Sequence, residues 1–361
     1  MKDAVIFLCS DQELNRERLG YFRAFSRQIL TTCILQSPDK NYRTLADLLP
    51  GNVRPILYLY PDAWPRWLPK GLVDSPYPTA CFNIDTFEHP EQRARFSMLF
   101  DYAFVFHPGF DLKFQQFGHP QAICIPHAVE ADLFEGVATQ KIYDVGWVGR
   151  LDGQSYSLRR RYINGLQERF VMNGIDRYYT LDEMANIYQQ SKIVINLSRD
   201  DYLQDANLRC FEVMASGALL ITPRPTELSE IGFIEGTHYV TFENENQMYE
   251  IVEYYLKNEE ERELIAQSAR KFVLEKHTYD ARVQTIFDTL NQNRGQLFAP
   301  ARQWDKAQVH ATYLQYFAES MMLEAAIDRL RQLRSYSVIK AWSMLPTILR
   351  CFSIKIRDSL I

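Results

Sequence analysis

Ile193-Val194-Ile195-Asn196-Leu197 runs into Ser198-Arg199-Asp200-Asp201-Tyr202-Leu203-Gln204-Asp205-Ala206. Asn207-Leu208-Arg209-Cys210-Phe211-Glu212-Val213-Met214-Ala215-Ser216-Gly217 follows, and then Ala218-Leu219-Leu220-Ile221-Thr222. An apolar run, a polar loop, a short amphipathic segment and a second apolar run form one βαβ unit of a parallel sheet. The spacing predicts strands over 193–197 and 218–222 and a helix over 208–215, with Gly217 as the left-handed residue that a helix end favours. Ligands of such sheets bind at the carboxyl ends of the strands, so the loop and the helix start are where chemistry is expected.

The same alternation extends in both directions. Toward the amino terminus, strand-like runs fall at 4–9, 31–35, 55–60, 80–83, 103–106 and 122–125. The segment 126–132 and the polar stretch 136–140 read as a crossing between domains, after which strands are expected at 144–149, 169–172, 193–197, 218–222 and 238–242. Thr180-Leu181-Asp182-Glu183 is a capping box that opens a helix. Further amphipathic helices are expected over 247–256, 259–274 and 279–291, and one long helix over 308–333. The fold class is therefore α/β: two Rossmann-like, doubly wound domains over 1–135 and 141–295, facing a cleft, with a helical extension over 300–361.

A chain of 361 residues has room for two ordinary domains. Its 22 Phe and 21 Tyr belong to a folded protein rather than a disordered one. A net charge of −5 offers no basic excess, so nucleic acid is not an expected partner. The cysteines at 9, 33, 81, 124, 210 and 351 include no CxxC pair, so they read as reduced thiols rather than zinc ligands or a disulfide framework. Asp3 follows Met1-Lys2 too soon for a secretory leader, and no apolar run approaches the roughly 20 residues needed to span a bilayer. These features point to the cytoplasm.

Within 193–222 the polar residues suggest an anion site. The amides of Asn207 and Leu208 open a helix whose macrodipole favours a phosphate. Arg209 sits in the first turn, where the dipole disfavours a cation unless an anion is present, and Glu212 follows at i+3. A carboxylate there suits the paired hydroxyls of a ribose, although an Arg209–Glu212 surface pair explains the same spacing. Asp200-Asp201 reads as a solvated turn in preference to a metal site, and no metal is expected.

The run from Asn207 to Thr222 resembles the N-x-R-x-F-E-x-x-A-x-G-A signature of the CgeB-like glycosyltransferases, relatives of the group 1 transferases with the GT-B fold. Tyr143-Asp144-Val145-Gly146-Trp147-Val148-Gly149-Arg150, His277-Thr278-Tyr279 with Arg282, the segment 126–134 and Asn83-Ile84-Asp85 resemble other parts of that family in the same order. The resemblance implies transfer of a sugar from a nucleotide-sugar to a glycan, lipid-linked or protein acceptor, with polysaccharide biosynthesis as the setting. Donor binding falls to the carboxyl domain and acceptor binding to the amino domain. Carried over by position, Glu212 holds the donor ribose, Arg150 lies near the diphosphate, and Asn207 and Leu208 face the phosphates. The lysine that related transferases often carry a few residues beyond the arginine is missing, and basic residues return only at Arg159, Arg160 and Arg161, which leaves Arg159 as the candidate further cation. Tyr178 and Tyr179 lie where the nucleobase rests, or else serve as rim aromatics. Asp85 is the expected catalytic base, with His89 and His127 as rivals and helix capping as the alternative role of Asp85. Eight residues before Glu212, where many related transferases carry a second glutamate, stands Gln204, with Asp205 the nearer acid. That departure keeps open a catalytically silent glycan- or partner-binding module, and a sugar-nucleotide epimerase is a third reading.

From residue 329 to the end, seven Lys and Arg meet one Asp in a chain whose total charge is −5. Arg334, Lys340, Trp342, Arg350, Phe352, Lys355 and Arg357 mix basic and apolar character, as in an interfacial helix pair broken at Pro346 and lying on an anionic bilayer. Packing on the acidic body or on another subunit of a homo-oligomer explains the same composition.

Overall fold

The computed structural model describes residues 1–34, 44–62, 69–135, 140–320 and 322–358. The last residue of the expected strand 31–35 and most of the 136–140 stretch lie outside them. Two compact units result, one from residues 1–125 and 289–361 and one from residues 126–288.

Unit 1 is built on a six-stranded, all-parallel sheet of β1 (Lys2–Phe7), β2 (Leu30–Cys33), β3 (Val53–Tyr60), β4 (Thr79–Asn83), β5 (Tyr102–Val105) and β6 (Ala122–Cys124), in the order β2-β1-β3-β4-β5-β6. Helices α1 (Arg16–Gln28), α2 (Leu45–Leu48), α3 (Pro90–Ser97) and α4 (Phe110–Gln116) lie in its connections. These strands are continuous apolar runs because helices cover both faces of a parallel sheet, so alternation with polar residues is lost. All four β5 residues and all five of β4 are buried.

Unit 2 carries β7 (Tyr143–Gly146), α5 (Ser157–Gln167), α6 (Leu181–Gln189), β8 (Ser191–Ile195), α7 (Leu208–Ser216), β9 (Leu219–Pro223), β10 (Val240–Phe242), α8 (Glu245–Lys257), α9 (Glu259–Lys276) and the start of α10 (Tyr279–Gln292). Its strands are parallel in the order β10-β9-β8-β7. The period-2 rule sorts the core: Val194 and Leu220 join α6, α7 and α9 on one face, while Ile193, Ile195, Leu219 and Ile221 join α5 and α8 on the other. The Thr180 capping box forms, with Thr180 N donating to Glu183 Oε2 at 2.9 Å. Gly217 takes φ 75°, and cations finish α7: Arg270 Nε donates to Ala215 O at 2.9 Å and Lys141 Nζ to Gly217 O at 3.1 Å.

Three expected elements differ. Residues 169–172 form only a single bridge, Met172 to Val145, because Asn173 takes over the backbone of Trp147. Its Oδ1 accepts from Trp147 N at 2.9 Å and its Nδ2 donates to Trp147 O at 2.8 Å, a side-chain substitute for further pairing. The single helix expected over 308–333 is two, α11 (Lys306–Glu319) and α12 (Leu323–Tyr336). Folding back sets buried Arg329 over the Tyr313 ring at 4.4 Å and stacks His310 on Tyr336 at 5.1 Å. The tail is not a pair broken at Pro346: α13 (Val338–Asp358) runs through it. Pro346 is exposed, so the Trp342 carbonyl it leaves without an i+4 donor is on the side open to water.

The segment 298–319 belongs to unit 1. Tyr316 of α11 stacks on Phe96 of α3 at 3.7 Å between ring centres, and Arg95 Nη2 donates to Glu319 at 3.1 Å. Asp101, fully buried before β5, accepts from Thr79 N, Thr79 Oγ1, Phe298 N, Ala299 N and Arg302 at 2.7–2.9 Å. All six cysteines are free thiols.

Candidate functional site

In unit 2, β7 and β8 end side by side, and α7 starts just beyond β8. Asn207 caps α7, its Oδ1 accepting from Arg209 N at 3.0 Å, while its Nδ2 donates to Ser198 Oγ at 2.7 Å and Asn196 Oδ1 at 3.1 Å. The loop between is held from beneath by buried Glu227, which accepts from Tyr202 Oη and from Ala206 N at 3.1 Å. Glu227 N in turn donates to Gln204 O at 2.9 Å. A scaffold of amide and carboxylate groups thus fixes where the helix begins.

Arg209 makes its hydrogen bonds across the strand ends rather than to Glu212. Its Nε donates to Val148 O at 3.1 Å and its Nη1 to Asn196 Oδ1 at 2.9 Å and Leu197 O at 3.3 Å. Each of these acceptors is neutral, so the guanidinium keeps its charge unneutralised by them. The chain passes this group only because residue 149 is glycine: a Cβ there would lie 2.6 Å from Arg209 Nη2 and 2.9 Å from Trp147 Cζ2.

A second cation closes on the same turn. Arg159, at the start of α5 and 7% exposed, donates from Nη1 to Arg150 O at 3.0 Å and lies 4.2 Å over the Tyr156 ring. Its Nε has no hydrogen-bond partner among the described residues. Burial first, then the nearby charge of Arg209, pushes its pKa down to about 9. Two guanidinium groups bonded to one turn, at Arg150 O and Val148 O, offer a counter-charge for a polyanion.

Glu212, one turn into α7, is buried at 4% exposure. Arg150 is exposed and paired with Asp152 at 3.5 Å, so its side chain is a surface cation, while its backbone carbonyl anchors Arg159. Tyr178 is 78% exposed; Tyr179 bonds to Gly174 O beneath the Arg177 guanidinium. The two acids at 200 and 201 are structural. Asp200 accepts from Ser157 Oγ at 2.8 Å and Leu158 N at 3.1 Å at the start of α5, and Asp201 pairs with Arg199.

His127 is buried in unit 2, 6.4 Å from the Phe211 ring of α7. The residues quoted around it have a structural account. Arg282 stitches the 126–129 segment to α10, donating to Pro126 O at 2.8 Å and His127 O at 3.2 Å, while Val129 and Thr278 form a bridge. His277 stacks on Phe233 at 4.7 Å, and burial, with Arg282 next, pushes its pKa down to about 3.

In unit 1, Asp85 is exposed just past the carboxyl end of β4, in a turn closed by Glu88 N donating to Asp85 O at 3.0 Å. It does not cap α3; that position belongs to His89, at φ 53° before Pro90. Asp62, also left-handed at φ 55°, forms a buried pair with Arg93 at 2.8 Å. Asp62 Oδ2 accepts from Ile84 N at 3.3 Å, and Arg93 Nε donates to Glu88 O at 3.0 Å, so this pair grips the Asp85 turn at both ends. Sequence reading missed Asp62, Arg93, Asn196 and Glu227. Among these only Asn196 carried a local signal, a polar residue ending an apolar strand.

Residues 157–288 match a family described as glycosyl transferase-like. No curated protein matches the chain in sequence. Among solved structures, the Anabaena protein Alr3699/HepE in complex with UDP is 14% identical at TM-score 0.52, covering 81% of this chain and all of that one. Sucrose-phosphate synthase from Thermosynechococcus elongatus is 14% identical at TM-score 0.52, covering 81% and 99%. An alpha-glucosyltransferase in complex with UDP-glucose and DNA containing an abasic site is 11% identical at TM-score 0.53, covering 80% and 99%. These likenesses show the fold: this chain is an α/β protein of the GT-B class, built from two Rossmann-like units.

Proposed function

We propose that the protein is a glycosyltransferase whose unit 2 binds a nucleotide-sugar and whose unit 1 takes a glycan, lipid-linked or protein acceptor. The observation that carries this reading is that Arg159 and Arg209 hydrogen-bond the same strand-end turn, at Arg150 O and Val148 O, with Arg209 in the first turn of α7 and Glu212 one turn on. The glycosyl transferase-like match over 157–288 and neighbours solved with UDP or UDP-glucose support it. The CgeB-like family is the closer assignment we favour, on the run from Asn207 to Thr222.

Negative charge develops on the diphosphate as the sugar departs, and catalysis requires that charge to be met by groups already in place. Arg159, Arg209 and the α7 amides fill this role, with Arg150 adding a surface cation. Glu212 accepts from the ribose hydroxyls. Asp85 of unit 1 takes the acceptor hydroxyl proton, with His89 of unit 1 and His127 of unit 2 as the rival bases.

Release of nucleoside diphosphate from a panel of nucleotide-sugars, with and without glycan acceptors, tests it. Acceptor-dependent release is expected. Binding without turnover would instead favour the silent module that Gln204 keeps open, an isomerised donor without acceptor would favour an epimerase, and no binding at all would overturn the donor site.

Arg159→Met separates binding from stability. Because the folded pKa lies below the ordinary value, charged Arg159 costs stability at neutral pH, a cost relieved only as pH rises toward and past about 9. The variant is expected to bind nucleoside diphosphate about 10–100-fold more weakly. Its Tm in the free state should be unchanged or raised, as differential scanning calorimetry will read. A lower Tm with intact affinity would make Arg159 a structural residue.

A further inference from the structure

We propose that α13 docks the protein on an anionic bilayer through one exposed apolar face. Val338, Trp342 and Leu349 fall at spacings of four and seven, one stripe of a helix, with Ile339 beside them. They are 52%, 68%, 65% and 86% exposed. The flanking face, about 100° round the helix, is occupied: Ala341 and Ile348 are buried where α13 packs on α11 and α12. The stripe is therefore not a misplaced core face; this helix has one side for the protein and another left over. Contiguous exposed apolar side chains of this size mark an interaction surface.

Charge selects the partner. No Asp or Glu occurs from residue 329 to 357, while Arg331, Arg334, Lys340 and Arg350 are among seven basic residues there. Exposed apolar side chains in a segment whose charges are all basic match the headgroup and acyl boundary of an anionic leaflet, where each Lys or Arg adds to attraction. A second copy of this chain fits less well. A two-fold contact sets the same patch against itself, so Arg350 and its neighbours would meet like charges. No described helix is long and apolar enough to cross a membrane, so contact is with the surface.

This deepens the proposed function by naming the surface at which a lipid-linked acceptor is met, and it rests on that reading for its purpose. Its measurement does not: vesicle binding needs neither donor nor turnover, so loss of one leaves the other standing. Full-length protein is sedimented with vesicles of phosphatidylcholine alone and with about one third phosphatidylglycerol, alongside the Ile339→Ser, Trp342→Ser double variant. Binding to anionic vesicles is expected to exceed binding to neutral ones at least about tenfold, and the double variant to lose at least about tenfold. Both side chains are exposed, so circular dichroism should stay unchanged. Equal binding of the variant, or no preference for the anionic vesicles, overturns the proposal. So does a wild-type dimer in sedimentation equilibrium that the variant abolishes, which would assign the stripe to a second copy.

Discussion

Changing Asp85 to Asn is expected to slow sugar transfer by about 10²–10⁴-fold while leaving nucleotide-sugar affinity as it was. The carboxylate stands exposed at a strand end, where a base must be to meet an incoming hydroxyl, and its turn is rigidly supported. Thr86 Oγ1 donates to Asn83 O and accepts from Phe106 N at 3.2 Å, and the buried Asp62–Arg93 pair holds Ile84 and Glu88. Asparagine keeps the shape and loses the proton acceptor, so only the chemical step should suffer. Steady-state transfer rates and donor titration together check this. Transfer within roughly threefold of wild type would move the base to His89 or His127, to be compared as His→Gln variants.

Asp101→Ala is expected to destabilise the protein by about 3–5 kcal/mol, the usual cost of breaking a buried ion pair from one side. Arg302 would be left without its carboxylate while still donating to Val73 O and Ser75 O, and the amides of Thr79, Phe298 and Ala299 would lose their acceptor. Burial alone would raise the Asp101 pKa, but the hydrogen bond from Arg302 and the amides of Ala299 and Thr79 outweigh it and hold the group below the ordinary carboxylate value. A depressed acid stabilises the fold in full above its unfolded pKa, and that contribution is lost as pH falls through the lower folded value. Thermal melts should therefore show the variant several degrees or more below wild type at pH 7, with the gap closing only in strong acid. A melt unchanged at pH 7 would show that Asp101 does not pin the segment after α10.

The legible parts of this fold were those written in neighbouring residues. The strand at 193–195, the helix through Ala215 and the stop at Gly217 share one stretch, and each rests on chemistry acting over a few residues. What escaped depended on distant partners. The periodicity of 308–333 is helical throughout, and its division into α11 and α12 follows from the two halves packing on each other around Arg329. Asn173 ends the 169–172 pairing through a backbone 26 residues away. The same divide runs through the candidate site. Arg209 and Glu212 were named by spacing, but the actual partners of Arg209, Val148 O, Asn196 and Leu197 O, come from the meeting of two strand ends. Gly149 looked like any strand-end glycine until Arg209 occupied the space a Cβ would need.

The central claim is that the start of α7, with Arg209 and the α5 residue Arg159, grips a nucleoside diphosphate while Glu212 holds its ribose. Isothermal titration of wild type and Glu212→Ala with UDP, GDP and ADP tests it most directly. One of these nucleotides should bind wild type, and the variant should bind it more weakly by about 1.5–3 kcal/mol, the range for a hydrogen bond to a charged group. Equal affinity in the two proteins, or no heat from any of the three, would contradict the claim.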